Sequence, residues 1–288
     1  MENLIHDVSD TSLWVAHYRA VESARPDALF RDPYAHLLVG ERGAAIAKTA
    51  GPMSRHTQWA VVMRTVIIDT FIQKLIKEGV DTLINLGAGM DSRPYRMDLP
   101  SSFHWIEIDF PHVIAHKEKI LNKEVPRCKL RRVALDLSLR TARQKIFREI
   151  GASTKKAVIL TEGVIPYLTP SDVEGLAQDL LVEPSFQYWI GEYLAPQTYR
   201  YLKNPKRMTL LKNAPFQFYP DDWLVFFAKC GWIQKESKYY SEVSAELGRP
   251  SPMPLFFKIL IKLMTKRWSE KFEKMAGYIL FERARSAP

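Results

Sequence analysis

The sequence predicts an α/β fold with a seven-stranded, mostly parallel sheet, an N-terminal helical cap and a helical lid insertion. Three observations support this prediction. Helical periodicity fills most of the first 78 residues, and short apolar strand patterns alternate with helical patterns from residue 81 to residue 194. Two further strand patterns follow towards the C-terminus. Alternating strands and helices are typical of crossover connections, which join parallel strands.

Two helical patterns make up the predicted cap, which we assign to residues 1–78. The first has helically spaced side chains at Leu13, Ala16, His17 and Ala20. The second runs from Val61 to Ile76 and ends before Gly79, a residue typical of helix C-termini. Residues 79–288 form the predicted core domain, with helical insertions at about 198–229 and 252–270.

Seven strand patterns form the predicted sheet. They are Thr82–Leu86, His104–Ile108, Lys129–Val133, Ala157–Glu162, Gln187–Glu192, Trp232–Ser237 and Gly277–Arg283. Between the last two lies Leu255–Lys266, an apolar segment with a lysine at every fourth position, which predicts a helix with one polar stripe. We expect this helix to cover the core or the active site. Contact with a membrane surface or a partner protein remains an alternative.

Composition narrows the class of protein. Of 288 residues, 47% are hydrophobic and 25% are charged, which is typical of soluble globular proteins. No signal peptide and no apolar run of about 20 residues is evident, so we expect no membrane span and a cytoplasmic protein. Cys128 and Cys230 are too few for a disulfide framework or a zinc site, and we expect no metal. The net charge of +9 is spread without a nucleic-acid recognition motif, so no nucleic-acid partner is expected.

Two strand ends carry the first chemical signal. The first strand leads into Gly87, Ala88 and Gly89, which predicts backbone NH groups exposed where a ligand approaches closely. About twenty residues later the second strand ends at Asp109, whose carboxylate can accept hydrogen bonds from two ribose hydroxyls. Together they indicate a nucleoside cofactor.

The loop after Gly89 distinguishes between nucleoside cofactors. A dinucleotide-binding loop has a third glycine and then a helix that receives the pyrophosphate. Here Ser92 occupies the glycine position, and Pro94 and Pro100 leave room for little helix. These residues favour S-adenosylmethionine over NAD, although an NAD-dependent oxidoreductase on a similar sheet remains an alternative.

Two later strand ends add polar groups. Asp136 can meet an adenine amino group with Leu137 as an apolar wall, although an aspartate here is also a common helix N-cap. Glu162 precedes Gly163 at the end of the fourth strand, over the crevice where open α/β sheets bind ligands. Both positions extend the predicted ligand site along one edge of the sheet.

Several of these segments resemble the leucine carboxyl methyltransferase family of S-adenosylmethionine-dependent enzymes. The resemblance rests on Gly87–Arg96, Glu107–Pro111, Glu162–Val164 with Tyr167 and Leu168, Phe30–Ala35, and Arg64 and Thr65 with Ile68 and Asp69. It extends from about Thr11 to Leu168 and implies a Rossmann-like class I methyltransferase fold. Within the family, the sequences of these motifs look more similar to bacterial members that resemble polyketide-tailoring O-methyltransferases than to the protein-modifying members.

The resemblance implies a role for each matching residue. Arg64 would pair with the methionine carboxylate of the cofactor and Glu162 would lie near its amino group, which suits a guanidinium fork and a carboxylate. The remaining implied cofactor contacts are Gly87 under the methionine, Ala88 and Gly89 in the same turn, Asp109 on the ribose, and Asp136 and Leu137 at the adenine. Arg19 and Tyr167 are candidate substrate residues. No catalytic residue is predicted.

The methyl acceptor is predicted only as a class. A carboxylate is nucleophilic without a general base, whereas a phenol or enol benefits from one. No base stands out among the histidines His17, His36, His56, His104, His112 and His116. The absence of an obvious base favours a carboxylate, and the resemblance to bacterial members implies a small molecule, so we expect a small-molecule acceptor with a carboxylate or a hydroxyl. A protein C-terminal carboxylate and a noncatalytic protein that binds S-adenosylmethionine or a partner are the alternatives.

Overall fold

The computed structural model describes residue 5 and residues 7–49, 53–253 and 273–284. Seven strands form one sheet: β1 Thr82–Leu86, β2 His104–Asp109, β3 Lys129–Ala134, β4 Ala157–Thr161, β5 Phe186–Leu194, β6 Trp232–Tyr239 and β7 Ala276–Arg283. Their spatial order is β3-β2-β1-β4-β5-β7-β6. The predicted α/β fold with a mostly parallel seven-stranded sheet is therefore confirmed.

The strand order reverses beside β1, which gives the sheet its ligand-binding edge. β1 pairs in parallel with both β2 and β4, whereas β7 lies antiparallel between β5 and β6. Every residue of β1 and β4 is buried, as expected for parallel strands covered on both faces. In such sheets the crevice beyond the carboxyl ends of the strands, at the switch point, binds ligands.

Helices cover both faces of this sheet. Three precede it, α1 Asp10–Ser23, α2 Ala35–Thr49 and α3 Met53–Lys77. Those that follow are α4 Arg93–Arg96, α5 Pro111–Leu121, α6 Arg140–Ser153, α7 Pro170–Leu181, α8 Tyr199–Leu202, α9 Pro205–Leu210, α10 Trp223–Lys229 and α11 Tyr240–Glu246. Short 3-10 helices occupy Ile165–Tyr167 and Pro196–Thr198. Among the helices within the described ranges, none is both long and apolar enough to cross a membrane.

Two apolar clusters fix which helices lie on which face. On one face, Trp189 of β5 and Phe281 of β7 pack with Phe227 of α10. On the other, Phe71 of α3 packs in one cluster with Tyr278 of β7 and with apolar residues of β1 and β4. Helix α3 therefore shares its core with the sheet and extends along the face that carries the site described below.

Strand boundaries differ from the sequence predictions by at most two residues, whereas helix α3 begins at Met53, eight residues before the predicted Val61. Strand β4 ends at Thr161, so Glu162 is the first residue after the strand, and β5 extends to Leu194. The predicted helical stretch 198–229 contains α8, α9 and α10, with irregular chain between α9 and α10. The predicted helix Leu255–Lys266 lies outside the described residues. The division into a cap and a core domain at residue 78 stays a prediction.

Candidate functional site

A large cavity lies at the carboxyl edge of the parallel strands. Its volume is about 1840 Å³, and it is lined by the start of α1, by α3, by the ends of β1, β2, β4 and β5, and by residues within and after α11. Sites for one small molecule usually enclose about 300–1000 Å³. The cavity is therefore large enough for two small molecules side by side.

The glycine turn after β1 forms one wall of this cavity. Gly87 and Gly89 have φ values of +66° and +44°, and a Cβ on Gly87 would lie 2.6 Å from the Val164 side chain. The predicted exposure of the NH groups is wrong. Gly87 N donates to Ile108 O at 2.8 Å, and Gly89 N donates to the Asp109 carboxylate at 2.6 Å. The tip of β2 takes these donors because it lies directly beside the turn, so the glycines allow close packing of the chain against itself.

Asp109 lines the cavity at the end of β2. Its two carboxylate oxygens accept from Gly89 N and from Phe110 N, at 2.6 and 2.7 Å. Burial raises the pKa of Asp109, and the backbone hydrogen bonds oppose that shift. Each carboxylate oxygen retains a further lone pair. The group is thus fixed by the backbone and still able to accept hydrogen bonds from a ligand.

Asp136 and Leu137 line the same cavity beyond β3. The Asp136 carboxylate accepts a hydrogen bond from Ser138 N at 2.9 Å. Helix α6 has Leu139 at its N-cap and no side-chain cap, so the alternative in which Asp136 caps this helix is wrong. The aspartate instead stabilises the turn that carries Leu137 into the cavity wall.

Arg93 is the centre of an ion-pair network behind the glycine turn. It is 2% exposed and donates to Asp69 at 2.6 Å, to Asp91 at 2.8 Å and to Glu162 at 2.7 Å. On the cavity side, Arg64 Nε lies 2.9 Å from the other oxygen of Glu162. Burial by itself raises the pKa of Glu162, but the two arginines outweigh it and hold that pKa below its usual value. Glu162 is therefore a carboxylate held between two cations.

Two cavity-lining polar atoms in this region lack a well-aligned hydrogen bond within the described residues, namely Arg64 Nε and Asn85 Oδ1. The Arg64 Nε–H is misaligned with the Glu162 oxygen despite their short separation. Asn85 lies inside β1, is 1% exposed, and donates its amide NH to Asp91 at 2.9 Å. A guanidinium NH suits a carboxylate and an amide oxygen suits an ammonium. These residues fit the amino acid end of S-adenosylmethionine, whose nucleoside end fits Asp109.

Sequence reasoning missed Asn85. Its signal was a polar side chain within a five-residue strand that is otherwise apolar except for Thr82. A second missed residue is Glu192 of β5, which the sequence placed at the end of a strand without a role. It lines the cavity and accepts hydrogen bonds from the NH groups of Gly163 and Val164. Burial raises the pKa of Glu192 to about 7.

The two candidate substrate residues both line the cavity. Arg19 is 6% exposed and donates to Asp32 at 2.9 Å, while Asp32 also accepts from Ser92 at 2.6 Å. Arg19 therefore connects α1 to the loop after the glycine turn. Tyr167 packs edge to face against Phe216 with ring centroids 5.0 Å apart. It contributes an aromatic wall on the side of α9.

Histidines and possible metal ligands are two further sources of chemistry in the cavity. Of the seven histidines, His56 lines the cavity. Across the described ranges no group of three or more His, Cys, Asp or Glu side chains could hold a metal ion. The polar groups that the structure brings to the cavity are therefore mainly carboxylates, arginines and hydroxyls.

Comparisons with known proteins identify the family of this chain. The family model for leucine carboxyl methyltransferase matches residues 12–180. A relative from Frankia alni, named "Putative S-adenosyl-L-methionine-dependent methyltransferase", is 29% identical over 261 residues, covering 85% of this chain and 90% of the relative. A relative of the same name from Mycobacteroides abscessus is 30% identical over 287 residues, covering 87% of this chain and 90% of the relative.

Solved structures share the fold. The crystal structure of a protein described as a "putative methyltransferase" from Thermobifida fusca superimposes with a TM-score of 0.57 at 15% identity, covering 88% of this chain and 93% of the other. The family match and the 30% identical relative confirm the resemblance predicted from the motifs. The chain belongs to the leucine carboxyl methyltransferase family of S-adenosylmethionine-dependent methyltransferases.

Proposed function

We propose that this chain is an O-methyltransferase that transfers the methyl group of S-adenosylmethionine to a carboxylate or hydroxyl oxygen of a small molecule. The observation that carries the proposal is the cavity of about 1840 Å³, which joins the strand ends near Asp109 to a region beside β5. A volume of this size accommodates a nucleoside cofactor and a small acceptor together. Transfer between two bound molecules requires such a shared space.

The cofactor roles in this proposal follow the polar groups along the sheet edge. Arg64 binds the methionine carboxylate, and Glu162 lies near the amino group. The other proposed cofactor contacts are Gly87, Ala88 and Gly89 beside the methionine, Asp109 at the ribose, and Asp136 and Leu137 at the adenine, all of which line the cavity. Since Arg93 and Arg64 keep Glu162 ionised, the carboxylate is available to an ammonium group.

The bound cofactor supplies a methyl group on a positively charged sulfur, which is electrophilic enough to react with an oxygen nucleophile. The chain's contribution is to hold the acceptor oxygen in line with that methyl group and to exclude water. Positioning of this kind lowers a barrier by about 7–11 kcal/mol. In this proposal Arg19 and Tyr167 shape the acceptor side, where Arg19 is held by Asp32.

The lining supports an apolar small molecule as the acceptor. Near the start of α1 and α3 and beside α9 it consists largely of aromatic and aliphatic side chains, including Trp14, Trp59, Val61, Tyr167, Leu211 and Phe216. Such surfaces bind an apolar framework and leave orientation to a few polar groups. A cytoplasmic location is part of this proposal, as expected from the sequence.

The test is transfer of a labelled methyl group. The purified full chain is incubated with methyl-labelled S-adenosylmethionine and a metabolite extract from a bacterium, and the product is separated into protein and small-molecule fractions. Treatment with mild base then separates methyl esters, which release the label, from ethers, which keep it. Calorimetry with S-adenosylhomocysteine measures cofactor binding in the same preparation.

We expect stoichiometric nucleoside binding and labelled small molecules. Label confined to the C-terminus of a protein would contradict the small-molecule proposal and support the protein carboxyl alternative. Nucleoside binding with no transfer to any fraction would support the noncatalytic alternative. Binding of NADH but not of S-adenosylhomocysteine would contradict the proposed cofactor and therefore the whole proposal.

A further inference from the structure

Two neighbouring strands present polar side chains to the acceptor side of the cavity. Glu192 of β5 and Tyr278 of β7 are directly opposite each other in the antiparallel register, and both line the cavity. Directly opposite residues point to the same face of a sheet with Cβ atoms about 4.5–5.5 Å apart. Glu192 is 7% exposed and Tyr278 is 0% exposed. The pair is therefore a buried polar unit at the cavity wall.

Each member of this pair has one oxygen without a hydrogen-bond partner in the described chain. Glu192 Oε1 accepts from Gly163 N and from Val164 N, the latter at 3.1 Å, whereas Glu192 Oε2 and the Tyr278 hydroxyl have none. A buried polar group left unpaired costs about 1–3 kcal/mol. A ligand hydroxyl would satisfy both atoms, since it donates one hydrogen bond and accepts others.

The surroundings of Glu192 make its free oxygen a proton acceptor. The groups that face it are Arg64 on α3, Glu162 after β4, Tyr240 on α11 and Tyr278 on β7. Burial raises the pKa of Glu192 to about 7, an effect that Arg64 opposes. Burial also raises the pKa values of both tyrosines, so they remain neutral hydrogen-bond donors. A carboxylate with a pKa near the working pH is well suited to general base catalysis.

The cations of the cavity argue against a second bound carboxylate. Within the described lining, each arginine already has an acidic partner: Arg19 pairs with Asp32, Arg64 with Glu162, and Arg140 and Arg143 with Asp179. In the proposed function, Arg64 also receives the carboxylate of the cofactor. A carboxylate acceptor beside Glu192 would face an acidic group rather than a cation. A neutral hydroxyl would not.

We propose that Glu192 and Tyr278 form the acceptor subsite for a phenol or enol on an apolar framework, with Glu192 Oε2 accepting the hydroxyl proton. This inference rests on the proposed function and narrows its acceptor class. The O–H bond breaks towards Glu192, an oxygen–methyl bond forms, and the methyl–sulfur bond breaks with its electron pair remaining on sulfur. The proton then leaves Glu192 to solvent, and Tyr278 donates a hydrogen bond to the acceptor oxygen before transfer.

The test compares binding of 2-naphthol with that of its methyl ether, 2-methoxynaphthalene, by fluorescence titration without any nucleoside. The variants are Glu192→Gln and Tyr278→Phe, and the matched control is Glu242→Gln, because Glu242 also lines the cavity and is half-buried. Loss of a hydrogen bond to a charged group corresponds to about tenfold or more in affinity. The ether has the same framework but cannot donate a proton.

We expect the wild type and Glu242→Gln to bind 2-naphthol about tenfold or more tightly than the ether. This preference should increase as the pH rises through about 7, where Glu192 ionises. Glu192→Gln should lose both the preference and its pH dependence, and Tyr278→Phe should weaken the preference without changing its pH dependence. In the wild type, the infrared band of a protonated carboxylic acid should disappear as the pH rises through about 7. This band should be absent from Glu192→Gln.

Equal binding of 2-naphthol and the ether by the wild type would overturn the subsite, and so would an unchanged preference in Glu192→Gln. Tighter binding of 2-naphthoic acid than of 2-naphthol, lost in Glu192→Gln, would overturn the hydroxyl class. Affinity for S-adenosylhomocysteine is measured separately in every variant. A wild type that does not bind S-adenosylhomocysteine would overturn the proposed function. The naphthol comparison contains no nucleoside, so it tests the subsite independently.

Discussion

Replacing Arg93 with glutamine is expected to destabilise the fold through the carboxylates that this arginine holds. Its side chain is 2% exposed and lies within 2.8 Å of carboxylate oxygens of Asp69, Asp91 and Glu162. Glutamine preserves part of the side-chain length and can still form hydrogen bonds, but it carries no charge. The substitution therefore removes the cation and leaves the acidic groups buried.

The magnitude follows from what each carboxylate retains. Asp69 keeps Arg96 at 2.7 Å, and Glu162 keeps Arg64 at 2.9 Å, whereas Asp91 loses its only ion pair within the described residues. One carboxylate is thus left without a counterion. Removing one partner of a buried pair costs about 3–5 kcal/mol. With a urea slope of about 3 kcal/mol per molar, the unfolding midpoint should fall by roughly 1–2 M.

The loss of stability in Arg93→Gln should be larger at neutral pH than at acidic pH. In the wild type, burial raises the pKa values of Asp91 and Glu162, but the arginines outweigh it and lower both. Their stabilisation is present above the pKa of the unfolded chain, near 4, and is lost only as the pH falls further. Without Arg93, burial prevails at Asp91 and raises its pKa. The variant then loses stability as the pH rises from about 4 towards 7, so its deficit is greatest at neutral pH.

The measurement is urea denaturation followed by tryptophan fluorescence at pH 5 and pH 7.5. Arg131→Gln is the control, because Arg131 pairs with Glu149 on the surface with both side chains about half exposed. An exposed pair contributes about 0–1 kcal/mol, so this variant should unfold close to the wild type. Equal midpoints for the two variants would refute the reasoning, and so would a deficit of Arg93→Gln that is larger at pH 5.

Three further predictions concern the cofactor wall and the core. Asp109→Ala should weaken S-adenosylhomocysteine binding in calorimetry by about 1–3 kcal/mol, because the ribose loses its charged acceptor; unchanged affinity would contradict the proposed ribose contact. Gly87→Ala should lower the melting temperature, because φ is +66° and the new Cβ would lie 2.6 Å from Val164. Lys117→Met should lower the free energy of unfolding by about 1–3 kcal/mol, since Glu107 loses Lys117 at 2.7 Å but keeps Arg132 at 2.9 Å; the double variant with Glu107→Gln should lose less than the sum of the two single losses, and additive losses would contradict a direct pair.

The sequence was sufficient for the parts of the site that depend on local pattern. Gly87, Asp109 and Glu162 were predicted at the edge of the sheet because each follows a short apolar strand, and parallel strands bring their carboxyl ends to one edge. The local sequence does not show which acceptors the NH groups of the glycine turn bind. The NH of Gly87 donates to Ile108 O, a contact that depends on how closely β2 lies against the turn.

The role of Glu192 in the cavity could not be predicted from the sequence for a related reason. Its neighbours are Gly163 on the adjacent strand end and Tyr278 on β7, so they are 29 and 86 residues away in the chain. Strand order and register decide that these residues meet, and neither can be derived from the strand patterns alone. Asn85 could have been suspected as a polar residue within a buried strand, but its free oxygen follows only from where Asp91 lies.

The proposed subsite of Glu192 and Tyr278 comes from a different part of the chain than the proposed cofactor contacts, and this bears on how acceptors are selected. The family model ends at residue 180, within α7, so the match covers Arg64, Asp109 and Glu162 but neither Glu192 nor Tyr278. The proposed cofactor contacts lie at the ends of the first four strands and beside the ion pairs around Arg93. The proposed subsite of Glu192 and Tyr278 uses β5 and β7, which follow the matched region, whereas Arg19 and Tyr167 lie within it. If these roles are correct, substitutions at Glu192 and Tyr278 change the acceptor without disturbing the proposed cofactor contacts, so acceptor chemistry has to be argued from residues such as Glu192 rather than from the motifs that identify the family.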